Sequence, residues 1–98
     1  MNDHFLGFVY HIVDGDTMDV RILQVPRGNS YAYGQTERIR LAGVDTPPLS
    51  TPRGRIAKAL LARRFLKRVV HCRIHARDVF GRLVCSVTVR KLATAGRR

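Results

Sequence analysis

Hydrophobic periodicity along this chain changes character once, and that change restricts the fold more than any other feature. Phe5–Val13 is rich in aromatic and β-branched residues and reads as a strand. Asp14-Gly15-Asp16 supplies turn chemistry. Thr17–Val25 then alternates, with Met18, Val20 and Ile22 set against Asp19 and Arg21, as a half-buried second strand. Pro26–Gly34 is loop by composition. Glu37–Val44 predicts a third strand, with Ile39 and Leu41 on one face and Arg38 and Arg40 on the other. Thr46-Pro47-Pro48 ends it, because proline removes a backbone donor and restricts the residue before it. Over Arg55–Val69 the period becomes helical: Ala59, Ala62, Phe65, Leu66 and Val69 gather on one side, and Arg63, Arg64, Lys67 and Arg68 on the other. Val70–Arg77 and Leu83–Arg90 return to strand patterning as a hairpin around Asp78–Arg82.

Five short strands with a helix after the third predict a mainly β fold with one or two helices. The matching architecture is a five-stranded Greek-key barrel of the oligonucleotide-binding type, the OB-fold, with the helix between strands 3 and 4. A chain of 98 residues has room for one such core and no second. The expected organisation is a single domain over residues 1–90 followed by a basic tail at 91–98.

Charge narrows the class of partner. Lys and Arg number 18 against 7 Asp and Glu, a formal charge of +11, which opposes compaction and points to an external polyanion. DNA or RNA is the expected partner, because many cations displace condensed counterions from phosphate. A membrane partner is not expected, since the helix lacks an uninterrupted face of large apolar residues and no stretch is long and apolar enough to span a bilayer. Met1-Asn2-Asp3-His4 has no basic region and Phe5–Val13 is broken by Gly7, Tyr10 and His11, so no signal peptide is visible and an intracellular location is favoured. Cys72 and Cys85 make no disulfide framework and read as buried free thiols. His71, Cys72 and His75 suggest zinc at first sight, but strand parity turns Cys72 away from both histidines.

Three segments carry chemistry: Val13-Asp14-Gly15-Asp16-Thr17, a turn with two carboxylates; Arg40-Leu41-Ala42-Gly43-Val44-Asp45-Thr46-Pro47, a strand with an arginine that ends in an aspartate; and Asp78-Val79-Phe80-Gly81-Arg82. A hard cation held by oxygen ligands neutralises a phosphate oxygen and positions water, and guanidinium groups bind the remaining oxygens bidentately. Asp16, Asp45 and the Thr46 carbonyl suit the first task, Arg40 and Arg82 the second. Each has a bland alternative. A DGDT turn alone is an ordinary hairpin connection, and a Gly-Arg turn often holds a merely solvated arginine.

Taken in order, the three segments resemble the staphylococcal nuclease (thermonuclease) family, which shares a strand–DGDT turn, an R-L-x-x-x-D-T-P segment and a D-x-x-G-R turn. The resemblance covers roughly residues 5 to 90 and implies an OB-fold barrel with calcium-dependent cleavage of DNA or RNA phosphodiesters. It implies that Asp16, Asp45 and Thr46 bind Ca2+, that Asp14 shapes the metal site, and that Arg40 and Arg82 contact the scissile phosphate. No small-molecule cofactor is expected, and a monomer is expected. Two features depart from the pattern. The family usually reads D-T-P-E, with the glutamate as general base, whereas here Pro48 follows Pro47. The family also continues with further helical sequence after the last strand, which these 98 residues do not contain. Glu37 is the sole glutamate, and strand parity sets it on the face of Ile39 rather than that of Arg40. Losing a general base costs a factor of about a hundred to ten thousand in rate, so impaired hydrolysis is expected. The alternative is a non-catalytic nucleic-acid-binding or anion-binding module on the same barrel.

Arg63, Arg64, Lys67 and Arg68 are further candidates for contacts to the nucleic-acid backbone, because no acid lies between Asp45 and Asp78 to lace the helix with salt bridges. Tyr31 and Tyr33 could stack on bases or cover the barrel mouth, and the sequence leaves both open.

Overall fold

The computed structural model describes residues 2–91. Of the basic tail expected at 91–98, all but the first residue therefore lies outside the described residues. Strands β1 (His4–Ile12), β2 (Thr17–Gln24), β3 (Thr36–Leu41), β4 (Val69–Arg77) and β5 (Leu83–Val89) close into a barrel in the order β1-β2-β3-β5-β4. One helix, α1 (Pro52–Phe65), connects β3 to β4. Neighbouring strands are antiparallel except β3 and β5, which pair in parallel. This is the expected OB-fold, and closure leaves no open sheet edge among the five strands.

Alternation fills the barrel. Phe5, Val9, Met18, Val20, Ile39, Leu41, Val70, Cys72, Ile74, Leu83 and Cys85 point inward and are buried. Leu61 and Phe65 of α1 plug the barrel from one side. β1 changes phase through a bulge between Val9 and His11: Tyr10 and His11 both face solvent before Ile12 returns to the core. Cys72 is sealed in the core as a free thiol, with burial pushing its pKa up to about 12. His71 and His75 lie outside the barrel, His71 bonded to His4 (3.0 Å) and His75 to Ser86 (2.6 Å), so the cysteine and the two histidines do not converge.

The helix differs from its sequence pattern at both ends. It starts at Pro52 rather than Arg55, because Thr51 caps it: the Thr51 hydroxyl accepts from Gly54 N at 3.0 Å, and proline suits the first helical position. It stops at Phe65 rather than Val69, because the chain must rejoin β1. Leu66 is extended and Lys67 takes the left-handed conformation (φ 62°). Lys67 N then donates to Val9 O at 2.7 Å, and Val9 N to Arg68 O at 3.0 Å. The buried stripe is Gly54, Leu61 and Phe65, flanked by Ala62 and Leu66; Ala59, expected on it, is exposed. Val69 is the first residue of β4, not part of the helix. β3 likewise ends at Leu41 rather than Val44, where Ala42 and Gly43 (φ 74°) turn the chain out of the sheet.

Candidate active site

Pairing of β2 with β3 brings the first two chemical segments together. Thr17, directly after the acidic turn, lies opposite Arg40, and Leu41 N donates to Asp16 O at 2.9 Å. The turn itself is closed by Val13 N and Asp14 N, both donating to Thr17 O. Gly15 is required there by packing. A Cβ at this position would lie 2.7 Å from Ala57 Cβ and 2.8 Å from Thr46 Oγ1, so only glycine lets the turn sit between α1 and the Asp45-Thr46 segment. The same crowding recurs at Gly54, where a Cβ would meet the Pro48 carbonyl at 1.9 Å. Pro48 is thereby pressed onto the first turn of α1, its carbonyl accepting from Thr51 N (2.9 Å) and Thr51 Oγ1 (2.7 Å).

Arg40 stands between two carboxylates without closing on either. Its Nη2 is 3.8 Å from Asp16 Oδ2 and 3.9 Å from Asp45 Oδ1, and it donates to Val44 O at 3.3 Å. Asp16 is buried, whereas the Asp45 side chain is 97% exposed. Asp14 does not point at Arg40; its Oδ1 accepts from Asp16 N at 3.0 Å. Burial first, then the neighbouring Asp14 carboxylate, pushes Asp16 above the ordinary aspartate value, against the Thr17 hydroxyl (2.8 Å) and Arg40, which favour its ionised form. This carboxylate is left short of positive charge.

The third segment joins through the β3–β5 pair, in which Arg40 lies opposite Val84, two residues beyond Arg82. Arg82 is held by Asp78, a residue to which the sequence alone gave no role. Asp78 Oδ2 accepts from Arg82 Nε at 2.7 Å, and its Oδ1 accepts from Phe80 N and Arg82 N. Burial would raise the Asp78 carboxyl, but these hydrogen bonds outweigh it and hold the group below its ordinary value. Among the described residues only Nε of the Arg82 side chain is engaged this way, and the guanidinium lies 5.2 Å from the exposed Phe80 ring.

Beside Arg40 the barrel carries a second ion cluster that the sequence did not announce. Asp19 binds Arg38 through both oxygens (2.8 and 3.1 Å) and His11 through Oδ2 (3.1 Å). Those contacts, the Arg38 hydrogen bond foremost, pull the Asp19 pKa down. The visible signal was strand pairing across a bulge, which cannot be placed before the register is known. Glu37 turns away from Arg40, as parity requires. It pairs with Arg77 (3.2 Å) and accepts from Gly34 N (2.9 Å).

Other candidates lie elsewhere. Arg63 and Arg64 are exposed in the last turn of α1, about 9–10 Å along the helix axis from Ala57, which touches the acidic turn. Lys67 and Arg68 are exposed in the α1–β4 connection, off the helix. The two tyrosines separate. Tyr33 donates its hydroxyl to Asp3 (2.6 Å) and packs edge-on against Phe5, covering the barrel, whereas Tyr31 leaves its ring exposed.

No family model matches the chain. A curated protein of the fungus Verticillium alfalfae, named probable endonuclease LCL3, is 35% identical over 74 residues. The match covers 69% of this chain and 26% of that protein, so the chain spans about a quarter of its relative's length. The similarity supports a nuclease-like domain.

The carboxylates that flank Arg40 are Asp16 and Asp45, and the Thr46 side chain lies beside the turn, its Oγ1 2.8 Å from where a Gly15 Cβ would stand. Among the described residues no three His, Cys, Asp or Glu side chains cluster closely enough to hold a metal ion. Calcium takes 6–8 oxygens, so water would fill out the shell. A hard cation there would be held loosely, by Asp16 and Asp45 together with water, and would add positive charge beside the buried Asp16.

Proposed function

We propose that this nuclease-like domain binds the phosphate backbone of DNA or RNA at Asp16, Arg40, Asp45 and Arg82, with hydrolysis that is calcium-dependent and slow. The observation that carries this reading is Arg40, held 3.8 and 3.9 Å from two carboxylates yet bonded tightly to neither. A guanidinium whose side-chain hydrogen bonding among the described residues is one contact to Val44 O, next to a buried carboxylate whose nearest arginine stands back at 3.8 Å, is arranged for an anion and a cation together. Calcium held by Asp16, Asp45 and the Thr46 carbonyl would supply Lewis acidity toward a phosphate oxygen. Arg40 and Arg82 bind and orient the phosphate and stabilise charge as it expands. Asp78 positions Arg82 by fixing Nε, and Asp14 holds the turn that carries Asp16.

Activation of water is the weak step. Pro48 has no proton-accepting side chain and its carbonyl is taken by Thr51, and Glu37 is committed to Arg77. The same fact supports a second reading, a binding module that holds nucleic acid without cutting it.

End-labelled single-stranded DNA and RNA, incubated with the protein in calcium and in chelator beside an Asp45→Ala control, separate the two. Calcium-dependent cleavage lost in the control supports the enzyme. Salt-sensitive binding without cleavage supports the module, and neither binding nor cleavage overturns both.

A further inference from the structure

Next to the turn that carries Arg82, a surface depression of about 470 Å³ is lined by Tyr31, His75, Ala76 and Arg77. Nothing in the phosphate site described above uses it. Three independent features are spent on shaping it.

The first is the loop that presents Tyr31. Asp3, buried, accepts from Ser30 N (2.6 Å), Tyr31 N (3.0 Å) and the Tyr33 hydroxyl (2.6 Å). Asn29 and His4 exchange two more hydrogen bonds, His4 N to Asn29 Oδ1 and Asn29 Nδ2 to His4 O. A loop fastened so heavily to the start of the chain and β1 has its backbone fixed, and yet Tyr31 is 55% exposed. An ordered loop holding out an exposed aromatic side chain is preorganised for contact rather than for core packing.

The second is the backbone of β4. Ile74 pairs with Cys85 and Ala76 with Val84, so the register slips at His75. A bulge of this kind re-aims the side chain it carries. Here it turns Ala76 outward beside His75, which keeps the outward parity of His71 and Arg73, so that both residues line the depression, with His75 Nε2 tied to Ser86 Oγ at 2.6 Å.

The third is electrostatic. Arg77 spends both terminal nitrogens on neighbours: Nη1 on Glu37 Oε1 (3.2 Å) and on Gly81 O (2.7 Å), Nη2 on Glu37 Oε2 (3.4 Å). With the Glu37 carboxylate opposing it, Arg77 offers a planar surface of nearly cancelled charge. Arg82, whose terminal nitrogens are not so engaged, offers the opposite. A phosphate therefore has no reason to choose the depression over Arg82. A flat, polarisable, uncharged ring does, because phenol, imidazole and guanidinium planes all stack on π-faces. The contact of Arg77 Nη1 with Gly81 O, the residue just before Arg82, sets the depression directly beside the phosphate-binding arginine.

We infer that this depression is a nucleobase pocket, which receives one unpaired base of the strand whose phosphate lies at Arg40 and Arg82, with Tyr31 as its stacking platform. The inference rests on the proposed phosphate site and adds a base contact to it.

A fluorescein-labelled ten-residue oligothymidylate tests it by anisotropy, alongside ten versions each carrying one abasic residue. The wild-type chain should bind the intact strand and lose affinity at one abasic position. Tyr31→Ala should weaken binding of the intact strand by about five- to a hundredfold. It should also abolish the sensitivity to that abasic position, whereas Tyr31→Phe should bind within about twofold of wild type. His75→Ala, from the opposite wall, should weaken binding in the same direction. Unchanged binding by Tyr31→Ala and His75→Ala, with binding still lost in Arg40→Ala, overturns the pocket and leaves the phosphate site standing. Equal losses in Tyr31→Phe and Tyr31→Ala also overturn it, since the hydroxyl rather than the ring would then be responsible. No binding by the wild-type chain overturns the pocket and the phosphate site together.

Discussion

Asp3 and Asp16 are both buried carboxylates on loop-proximal backbone, and they are solvated by the protein in opposite ways. Asp3 receives two backbone N–H groups and a phenol, and despite the burial that would raise its pKa, those bonds hold it below the ordinary value of 3.8. Asp16 receives one hydroxyl, faces a second carboxylate, keeps its arginine at 3.8 Å, and is pushed above that value. One end of the barrel has completed its electrostatics and the other has not. A buried charge with few partners costs stability, and at Asp16 that cost stands beside Arg40 and Asp45, the groups of the proposed phosphate site. The contrast extends to the arginines: Arg77 and Arg38 are locked in close pairs with Glu37 and Asp19, while Arg40 is not.

The contrast can be broken most decisively at Pro48. If the incomplete end is a hydrolytic site that lacks only its base, Pro48→Glu should raise calcium-dependent cleavage of a labelled oligonucleotide by about a hundredfold or more. An unchanged rate would mean that the missing glutamate is not what limits this site. The completed end is tested by Asp3→Ala, which strands two N–H groups and a hydroxyl. Its melting temperature should fall by roughly 10 °C or more, read by circular dichroism. Asp16→Asn should do the reverse, removing a disfavoured charge while keeping an acceptor for Thr17. A rise of roughly 2–4 °C in calcium-free buffer, together with loss of calcium-dependent cleavage, would show stability exchanged for function; a fall would show that Asp16 is structural.

Acid titration sharpens the same distinction with a smaller effect. The folded pKa of Asp3 and of Asp19 is depressed, so each stabilises the fold above pH 3.8 and loses that contribution as pH falls through its lower folded value. Asp16 is raised, so its cost appears as pH climbs from 3.8 through its folded value and persists above it. Melting temperature should therefore drop below pH 3.8 in the wild type. The drop should be shallower in Asp19→Asn, and the difference between Asp16→Asn and wild type should vanish in strong acid. The smallest expected change is at Lys67, where relief of a left-handed backbone is set against glycine's added freedom in the unfolded chain. Lys67→Gly should shift melting by no more than roughly 4 °C upward.

The sequence was legible wherever period and turn chemistry are local. Strand alternation at Met18–Ile22 and at Ile39–Leu41 assigned the inward faces correctly, and the order of elements was enough to predict an OB-fold. The helix was misread at its edges, for tertiary reasons. Thr51 and Pro52 form a cap that lies before the apolar pattern begins, and the stop at Phe65 is imposed by hydrogen bonds to Val9, 56 residues earlier in the chain. Leu61 rather than Ala59 reaches the core because the helix packs by the face that Gly54 opens under Pro48.

At the site, the identities of Asp14, Asp16, Arg40, Asp45 and Arg82 came from the sequence alone, because residue type fixes what each group can donate, accept or coordinate. Their convergence did not. Thr17 meets Arg40 only through β2–β3 register, Gly15 sits between Ala57 and Thr46 only once α1 has docked, and the strand that follows Arg82 lies beside β3 only through the parallel β3–β5 pair, with Arg40 opposite Val84. The hold of Asp78 on Arg82, the Asp19 ion cluster and the Tyr31 depression belong to the tertiary structure. Hydrogen-bond geometry and burial decide whether a charge is satisfied or exposed, and neither exists until strands distant in sequence have paired.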